Sequence, residues 1–251
     1  MSNKNLLLSV LGVIIVFAAI FAYFRLKDNK SSELVNNQEI NLEEKTMEDT
    51  KQEETKPAEV KVPESNACVR NFNAETLKTA KVDIQNRKVE IQVKEFGKIV
   101  VSFYEKDSPK TVENFLRLAN SGYFDCLTFH RVSKGFVIQG GDPTGTGSGG
   151  ESAFGGEFAD ETNPELQIYK TGYVKGTLAM ANRGPNTNTS QFFIMLEDKE
   201  LPPNYTIFGK VVQGMDVVSK IEAVDITPGM FGPTDGAPKT PVVMTSVKIV
   251  N

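Results

Sequence analysis

An uncharged apolar run near the N-terminus and the charged stretch after it limit how much of this chain can form a packed core. Residues 6–24, LLLSVLGVIIVFAAIFAYF, are 19 residues without a charge, close to the roughly 20 that cross a bilayer as a helix. A signal peptide usually has a shorter apolar region and ends in a cleavage site of small residues. We see no convincing site here. Residues 1–26 therefore predict a cytoplasmic tip and an uncleaved anchor, and a cleaved signal peptide is the alternative.

The charges around this anchor disagree about its orientation. Lys4 precedes it, whereas Arg25, Lys27 and Lys30 follow it, and the positive-inside rule then leans toward a cytoplasmic C-terminus. A short basic head before an apolar segment at the extreme N-terminus instead favours export of the chain that follows. We expect the second indication to decide. It predicts a single-pass protein of the cell membrane with its folded part on the extracytoplasmic side.

Residues 27–66 are polar, with an excess of acidic residues and no aromatic side chain. Such a segment cannot bury enough apolar surface to offset the entropy of ordering it, which predicts a disordered acidic linker. A flexible coil of this length has a root-mean-square reach of roughly 35 Å. Residues 67–87 are expected to be a pre-domain segment, and residues 88–251 the folded domain.

The folded part begins with patterns of short strands and a helix. The stretch VEIQVKEFGKIVVSFY alternates apolar and polar residues, which predicts two strands around Gly97. The stretch SPKTVENFLRLANSG predicts a helix, with Ser108 as its N-cap, Pro109 in its first turn and Gly122 just past its end.

The rest of the folded part is rich in short strands and glycine turns. A second helix is expected near residues 215–223, and PVVMTSVKIV predicts a last strand. Many short strands with two helices predict a mainly β fold, a closed or nearly closed barrel that the helices cap.

Composition and motif spacing exclude several classes of function. The chain has one His, two Cys and a net charge of −4, so neither a His-rich metal site nor bulk attraction to nucleic acid is indicated. We expect no metal and no cofactor. The stretch GTGSGG, residues 145–150, matches G-x-G-x-x-G, but helical periodicity does not follow it. A flexible surface loop is therefore favoured over a dinucleotide site.

Several longer motifs occur in one order: TVENFL, FHRV, GFVIQGGD, MANRGPNTNTSQFF and FGKV. Over about residues 89–250 the chain resembles the cyclophilin family of peptidyl-prolyl cis–trans isomerases, and its anchor suggests a membrane-anchored bacterial form. The resemblance implies a closed antiparallel eight-stranded β-barrel capped by two α-helices. It also implies a monomeric enzyme that accelerates rotation of X–Pro bonds in exported or unfolded proteins, with proline-containing polypeptides as its clients.

Rotation about an X–Pro bond is slow because it breaks amide resonance, with a barrier near 18–20 kcal/mol. Catalysis needs a dry pocket for proline and a donor that stabilises the twisted amide better than the planar one. Arginine is a permanently charged donor, and by resemblance Arg131 is the catalytic arginine. Gln139 is expected to bond Arg131 or the substrate carbonyl. His130, the only histidine, is expected to support the site rather than transfer protons.

The resemblance also assigns the surfaces that would hold the client. A proline pocket is implied for Phe136, Val137, Phe193, Leu201 and Tyr205, although a Phe in a strand is otherwise ordinary core packing. The substrate backbone and a neighbouring groove are implied for Ala181, Asn182, Arg183 and Gln191, and a small adjacent pocket for Thr187, Asn188 and Thr189. PNTNTS is also rich in turn formers, so the polar residues have a structural alternative.

One departure and two alternatives remain. The chain has no Trp, whereas many cyclophilins carry one beside the proline pocket, so cyclosporin binding is expected to be weakened. A binding module that holds proline segments as a chaperone, with little turnover, is the alternative to the enzyme. A structural domain with a defunct site is a further possibility. Retention of Arg131, Phe136, Gln139 and Phe193 favours the enzyme.

The two cysteines, Cys68 and Cys126, are the last candidates. Cys126 stands in YFDCLTFHR, where many bacterial relatives have Gly, and Cys68 lies in the pre-domain segment. If the domain is exported, it enters an oxidising compartment where these two residues are candidates to form a disulfide. Two unpaired thiols are the alternative.

Overall fold

The computed structural model describes residues 68–251, so the predicted anchor at 6–24 and the linker at 27–66 lie outside the described residues. Among the helices of residues 68–251, none is long and apolar enough to span a bilayer. The elements of this part are the helices α1 (Ala74–Thr79), α2 (Pro109–Asn120), α3 (Gln167–Thr171) and α4 (Met215–Glu222), and the strands β1 (Lys88–Val93), β2 (Gly97–Phe103), β3 (Phe129–Ser133), β4 (Val137–Gly140), β5 (Thr177–Met180), β6 (Phe192–Met195), β7 (Ile207–Gln213), β8 (Ile226–Gly229), β9 (Gly232–Pro238) and β10 (Met244–Val250).

These strands form one antiparallel sheet in the order β10-β1-β2-β7-β5-β6-β4-β3-β9-β8. The predicted mainly β, antiparallel fold is confirmed, but the sheet has ten strands rather than eight and is not a closed barrel. The hairpin of β8 and β9 adds two strands beyond β3. Between the segments that precede β3 and β10, the isolated bridge of Thr128 with Val243 and three backbone hydrogen bonds form in place of a ladder between two strands, so the sheet is not continuous at this seam.

The prediction of two strands around Gly97 is confirmed. β1 and β2 pair in antiparallel register, with Val93 opposite Gly97 at the turn. Buried residues alternate along β1, which has Val89, Ile91 and Val93 on its inner face. The alternation seen in the sequence is therefore the inward and outward alternation of a sheet with one buried face.

The two predicted helices form as α2 and α4, on different parts of the sheet. α2 packs against β10, and α4 packs against β2, β3 and β4. Phe115 of α2 is fully buried, and its ring lies within 5.7 Å, centroid to centroid, of the rings of Phe103, Phe124, Phe192 and Phe208. This aromatic cluster joins the helix to strands from both halves of the chain and centres the core.

The N-terminus of α2 is capped differently from the prediction. Ser108 occupies the N-cap position but makes no side-chain cap; its hydroxyl donates instead to the Ile207 carbonyl at 2.7 Å. The Glu161 carboxylate accepts from the backbone N–H groups of Lys110 and Thr111 at 3.0 and 2.8 Å. A carboxylate at a helix N-terminus satisfies free donors and complements the helix dipole, so a loop residue far along the chain takes the capping role.

The segment before β1 packs onto the fold. Leu77 of α1 is buried in the main core, and Arg117 of α2 donates to its carbonyl at 2.7 Å. The Arg70 guanidinium lies 5.0 Å from the ring centroids of both Phe72 and Tyr123 and donates to the Tyr123 carbonyl. The packed body therefore extends upstream of β1, back to residue 68.

Cys68 and Cys126 are joined by a disulfide, with their Cα atoms 5.5 Å apart. Cys126 has a φ of +65°. This lies in the left-handed region, where a residue with a Cβ is sterically strained and glycine is not. A glycine at this position would adopt the conformation without that cost. The cysteine therefore occupies a strained backbone position and links the pre-domain segment to the barrel.

The two roles of Cys126 can be separated by substitution. Cys126→Ser removes the cross-link, which closes a loop across a sequence separation of 58 residues, and is expected to lower the free energy of unfolding by up to about 4 kcal/mol. Cys126→Gly removes the same cross-link but relieves the positive φ, so it should be more stable than Cys126→Ser by about 1 kcal/mol. Urea unfolding followed by circular dichroism under non-reducing conditions measures both.

Cys68→Ser is the matched control, because it breaks the bridge and keeps the Cβ at position 126. Its stability should equal that of Cys126→Ser. Equal stabilities for the glycine and serine variants of Cys126 would show that the left-handed conformation carries no cost.

Candidate active site

Arg131 enters the site from a bulge in β3. The β3–β4 register shifts between Phe129 and Arg131, so that Phe129 faces Gly140, Arg131 faces Gln139, and His130 is the extra residue. A bulge of this kind re-aims neighbouring side chains and is common beside active sites. The bulge places Arg131 and His130 in different surroundings although they are adjacent in sequence.

The Arg131 guanidinium is held on two sides. Its Nε and Nη2 donate to the Asp235 carboxylate at 3.0 and 2.6 Å, and its Nη1 donates to Gln139 Oε1 at 3.0 Å. One hydrogen on Nη1 and one on Nη2 remain for a substrate, and the side chain is 27% exposed. The expected Arg131–Gln139 contact is present, and the carboxylate of Asp235 is a partner that the sequence analysis did not find.

Asp235 is itself buried, at 7% side-chain exposure. Burial by itself would raise the pKa of Asp235, but hydrogen bonds from Arg131 and Ser133 outweigh it and hold the pKa below its usual value. The carboxylate is therefore ionised at neutral pH. A bidentate ion pair of this geometry fixes the plane of the guanidinium as well as its position.

A chain of amides continues from Arg131 to the glycine-rich loop. Gln139 Nε2 donates to Gln191 Oε1 at 2.9 Å, and Gln191 Nε2 donates to the carbonyls of Gly147 and Gly149 at 2.9 and 2.7 Å. The structure thus brings together Gln139 and Gln191, two of the candidate site residues, through a contact that was not predicted. Each polar group in the chain has a defined partner, which fixes the orientation of both amides.

The loop GTGSGG is ordered around one carboxylate and is not a loose surface loop. Asp142 accepts hydrogen bonds from the backbone N–H groups of Thr144, Thr146, Gly147 and Gly149 at 2.7 to 3.2 Å. The first helix after the loop is α3, from residue 167, so the motif does not open a helix and lacks the context of a dinucleotide site. The loop instead forms one wall of the candidate site.

The apolar residues that were assigned to the proline pocket lie in one cluster, separate from the main core. Val137 and Phe193 are buried at its centre, and the others are partly exposed against it. The rings of Phe193 and Tyr205 meet edge to face with centroids 5.6 Å apart. The predicted members that the structure brings together here are Phe136, Val137, Ala181, Phe193, Leu201 and Tyr205.

Tyr205 is positioned through its backbone by another tyrosine. The Tyr173 hydroxyl donates to the Tyr205 carbonyl at 2.8 Å and accepts from the Tyr205 N–H at 3.2 Å. Burial raises the pKa of Tyr173 to about 12, so the hydroxyl stays protonated and can make both bonds. This support lies outside the recognised motifs and was not predicted.

The remaining polar candidates divide into pocket-lining and structural residues. A small pocket is bordered by Gln139, Gly147, Gly149, Ala181, Asn182, Arg183, Thr187, Thr189 and Gln191. The expected pocket residue Asn188 does not line it. Asn188 is buried, and its amide donates to the Phe158 carbonyl and to Asp160 at 3.1 and 2.7 Å, a structural role.

Two of the pocket residues have further contacts. Asn182 Nδ2 donates to the Asn204 carbonyl at 2.8 Å, and Arg183 donates to the Ser148 carbonyl at 3.0 Å and to Glu157 at 2.8 Å. Arg183 therefore bridges from this edge to the glycine-rich loop. Its predicted role on the substrate backbone stays a prediction.

A buried asparagine of the motif TVENFL also supports this region. Asn114 of α2 donates to the Thr189 carbonyl at 2.8 Å and accepts from the Ala153 N–H at 2.7 Å. A buried amide with partners on two loops holds both at fixed distances from the helix. Its signal in the sequence is a polar residue beside Phe115 on a face that is otherwise apolar.

His130 is unsuited to proton transfer. Both of its ring nitrogens are buried without a hydrogen-bond partner among the described residues. Burial lowers the pKa of His130 below its ordinary value, and Arg131 adds to this effect while Asp142 opposes it. The ring is therefore neutral at pH 7. A general base must reach the proton that it abstracts, and the two ring nitrogens of the partly buried His130 are shielded from such contact.

The site thus combines an oriented cation that has free donors with an apolar wall and a polar groove beside it. Such a site can hold an extended peptide, bury a proline ring and donate to the amide nitrogen, whose lone pair localises as the bond twists. This defines the class: a peptide-binding site that can stabilise a twisted X–Pro amide electrostatically.

Comparison with known proteins agrees with this class. The sequence profile of "Cyclophilin type peptidyl-prolyl cis-trans isomerase/CLD" matches residues 88–249. Peptidyl-prolyl cis-trans isomerase CYP18-2 of Arabidopsis thaliana is 52% identical over 129 residues, which cover 51% of this chain and 76% of that protein. Peptidyl-prolyl cis-trans isomerase ppi1 of Schizosaccharomyces pombe is 51% identical over 134 residues, covering 53% and 83%.

A solved structure agrees as well. The crystal structure of a cyclophilin type peptidyl-prolyl cis-trans isomerase from Cryptosporidium parvum is 37% identical, covers 66% of this chain and 98% of that one, and superposes with a TM-score of 0.59. The chain belongs to the cyclophilin-type family and is a peptidyl-prolyl cis–trans isomerase. These relatives are eukaryotic, so a membrane-anchored bacterial form stays a prediction.

The separate contributions of the adjacent residues Arg131 and His130 to the rate can be measured by substitution. Arg131→Ala removes the oriented donor, so kcat/KM toward a proline peptide should fall by roughly 10²- to 10³-fold. His130→Gln removes a neutral, buried ring and should cost far less. Exchange spectroscopy on a proline peptide measures both rates.

The control concerns folding, because Arg131→Ala leaves the buried Asp235 carboxylate without its partner. The double variant Arg131→Ala/Asp235→Asn removes that unpaired charge, which restores stability but should leave catalysis as low as in the single variant. A loss in His130→Gln as large as that in Arg131→Ala, with the fold intact, would contradict these roles.

The pH dependence of the rate follows from the protonation of His130 and Asp235. The lowered pKa of His130 keeps its ring neutral above pH 6.5, and the lowered pKa of Asp235 keeps the ion pair formed there. We therefore expect kcat/KM to be nearly constant between about pH 6.5 and pH 8.5 and to fall only in acid, where both groups gain protons. A pH–rate profile with a step near the ordinary histidine pKa that disappears in His130→Gln would contradict this.

Proposed function

We propose that this isomerase accelerates X–Pro rotation in unfolded or newly exported proteins while tethered to a membrane. The observation that carries the proposal is the oriented, partly exposed Arg131 beside the apolar cluster of Phe193. A pure binding module needs the apolar wall and groove but not a cation fixed by both Asp235 and Gln139. This arrangement supports turnover over passive holding of proline segments by a chaperone.

The tether rests on the sequence before the described residues. The uncharged run at 6–24 has the length of a membrane span, and the polar composition of residues 27–66 predicts a flexible coil, for which a root-mean-square reach of roughly 35 Å is expected. A tethered enzyme of this reach meets chains as they leave the membrane. The client class is therefore extended polypeptide near that surface, not a single folded partner.

The disulfide supports a location of the domain on the extracytoplasmic side. Disulfides persist in oxidising compartments and are rare in the cytosol, where thiols are kept reduced. The bridge of Cys68 and Cys126 therefore favours export of the domain over the cytoplasmic orientation that the positive-inside count indicates.

We expect the domain to act as a monomer. Because the chain has no Trp to stand beside the proline pocket, we expect it to bind cyclosporin weakly.

The test of the tether uses the full chain in spheroplasts of a producing bacterium. We expect the domain to sediment with membranes and to be digested by protease added outside, because an exported domain is accessible there. A chain without residues 1–26 should leave the membrane fraction and keep its rate on a proline peptide. An external reporter protein and a cytoplasmic one serve as controls for protease access.

Protection of the domain in intact spheroplasts, with the external control digested, would show the opposite orientation.

For the client role, the full chain should accelerate refolding of an unfolded protein whose slow step is proline isomerisation, and the Arg131→Ala variant should not. Equal rescue by both proteins would favour the chaperone alternative.

A further inference from the structure

The turn of the β8–β9 hairpin exposes two large apolar side chains in sequence. Met230 and Phe231 are 85% and 71% exposed, and neither packs against the two apolar clusters. Gly229 and Gly232 flank them, and a Cβ at Gly232 would meet nothing within 4 Å. The pair therefore projects into open space. Single exposed apolar residues need no explanation, but an adjacent pair beside an active site does.

The hairpin is fixed against the catalytic strand. β9 pairs with β3, with Gly236 opposite Val132 and Asp235 opposite Ser133, and the Asp235 carboxylate forms the ion pair with Arg131. A Cβ added at Gly236 would clash with the carbonyl oxygen of Thr227, so the two strands of the hairpin are in tight contact. The base of the hairpin is thus a rigid support for its turn.

The turn reaches the catalytic side chain. The guanidinium carbon of Arg131 lies 5.4 Å from the centroid of the Phe231 ring, within the range of a cation–π contact. Because the ring remains 71% exposed, Arg131 covers only a small part of it. The remaining surface, extended by Met230, is an apolar platform that directly adjoins the site where the twisted amide must lie.

We propose that Met230 and Phe231 form a client subsite that selects a large apolar side chain, aromatic or long aliphatic, next to the isomerised proline. The proposal rests on the isomerase activity and names the client chemistry of the same site. A peptide bound at Arg131 continues past the hairpin turn, and a flanking aromatic or aliphatic side chain covers apolar surface that otherwise faces water. Methionine adapts to side chains of different shape, so the subsite is selective for size and polarity rather than for one residue.

A second role for Phe231 gives a different result. If the ring only steadied the guanidinium, its loss would slow every proline peptide to the same extent. A subsite instead acts through the flanking residue, so its loss changes the ratio of rates between peptides. Contact made equally by the planar and twisted forms appears in KM rather than in kcat.

The experiment compares full chains on proline peptides that differ only in the residue before or after proline: Phe, Leu or Gly. Exchange spectroscopy gives kcat/KM for each. We expect the wild type to favour Phe and Leu over Gly at one of these positions. In Met230→Ser/Phe231→Ser that preference should shrink by about three- to tenfold, mainly through KM. Val212→Ser removes an exposed apolar side chain of β7 that is 46% exposed and should keep the wild-type ratio.

The other outcomes overturn the subsite. No flank preference in the wild type, an unchanged preference in the double variant, or an equal loss on all peptides would each do so. Sedimentation shows whether the wild type self-associates and the double variant does not, which would assign the pair to contact between copies. Failure of the isomerase function itself is distinguishable, because then the Gly-flanked peptide also shows no acceleration by the wild type.

Discussion

The ion pair between Arg131 and Asp235 is the interaction on which the site depends. Arginine at an open surface samples many rotamers, and each would place its donors differently. Here a buried carboxylate accepts along one edge of the guanidinium, from Nε and Nη2 at 3.0 and 2.6 Å, and Gln139 accepts from Nη1. Electrostatic stabilisation of a twisted amide requires donors that need no reorganisation. The pair supplies that fixed orientation and still leaves hydrogens for the client.

The sheet delivers this arrangement because neighbouring strands carry neighbouring parts of the site. Across β9, β3, β4 and β6, the pairings bring Asp235, Arg131, Gln139 and Phe193 side by side, with Gln139 directly opposite both Arg131 and Phe193. The bulge at His130 sets the register that makes this possible. A one-residue change in pairing would turn Arg131 to the other face, so the bulge at His130 is what positions Arg131 in the site.

Local pattern and motif predicted the parts of the fold and site that lie close in sequence. The two strands around Gly97, both helices and the contact of Arg131 with Gln139, eight residues away, were accessible in this way. Asp235 lies 104 residues from Arg131, in a hairpin without a distinctive pattern, and Glu161 caps α2 through Thr111, 50 residues earlier in the chain. The same hairpin adds the two strands beyond β3 that the sequence did not predict. Such pairings depend on tertiary geometry that one sequence does not reveal.

The segment before β1 bears on the site through a chain of contacts. The disulfide fixes Cys68 to the loop before β3, and Arg70 then lies against Tyr123 and bonds its carbonyl at 2.9 Å. The Tyr123 hydroxyl is 3.3 Å from the hydroxyl of Ser190, which donates to the Gly141 carbonyl at 2.6 Å. Ser190 immediately precedes Gln191, whose amide orders the glycine-rich loop. The pre-domain segment is therefore part of the support of the active site, and Cys126, in its left-handed conformation, anchors that segment through the disulfide.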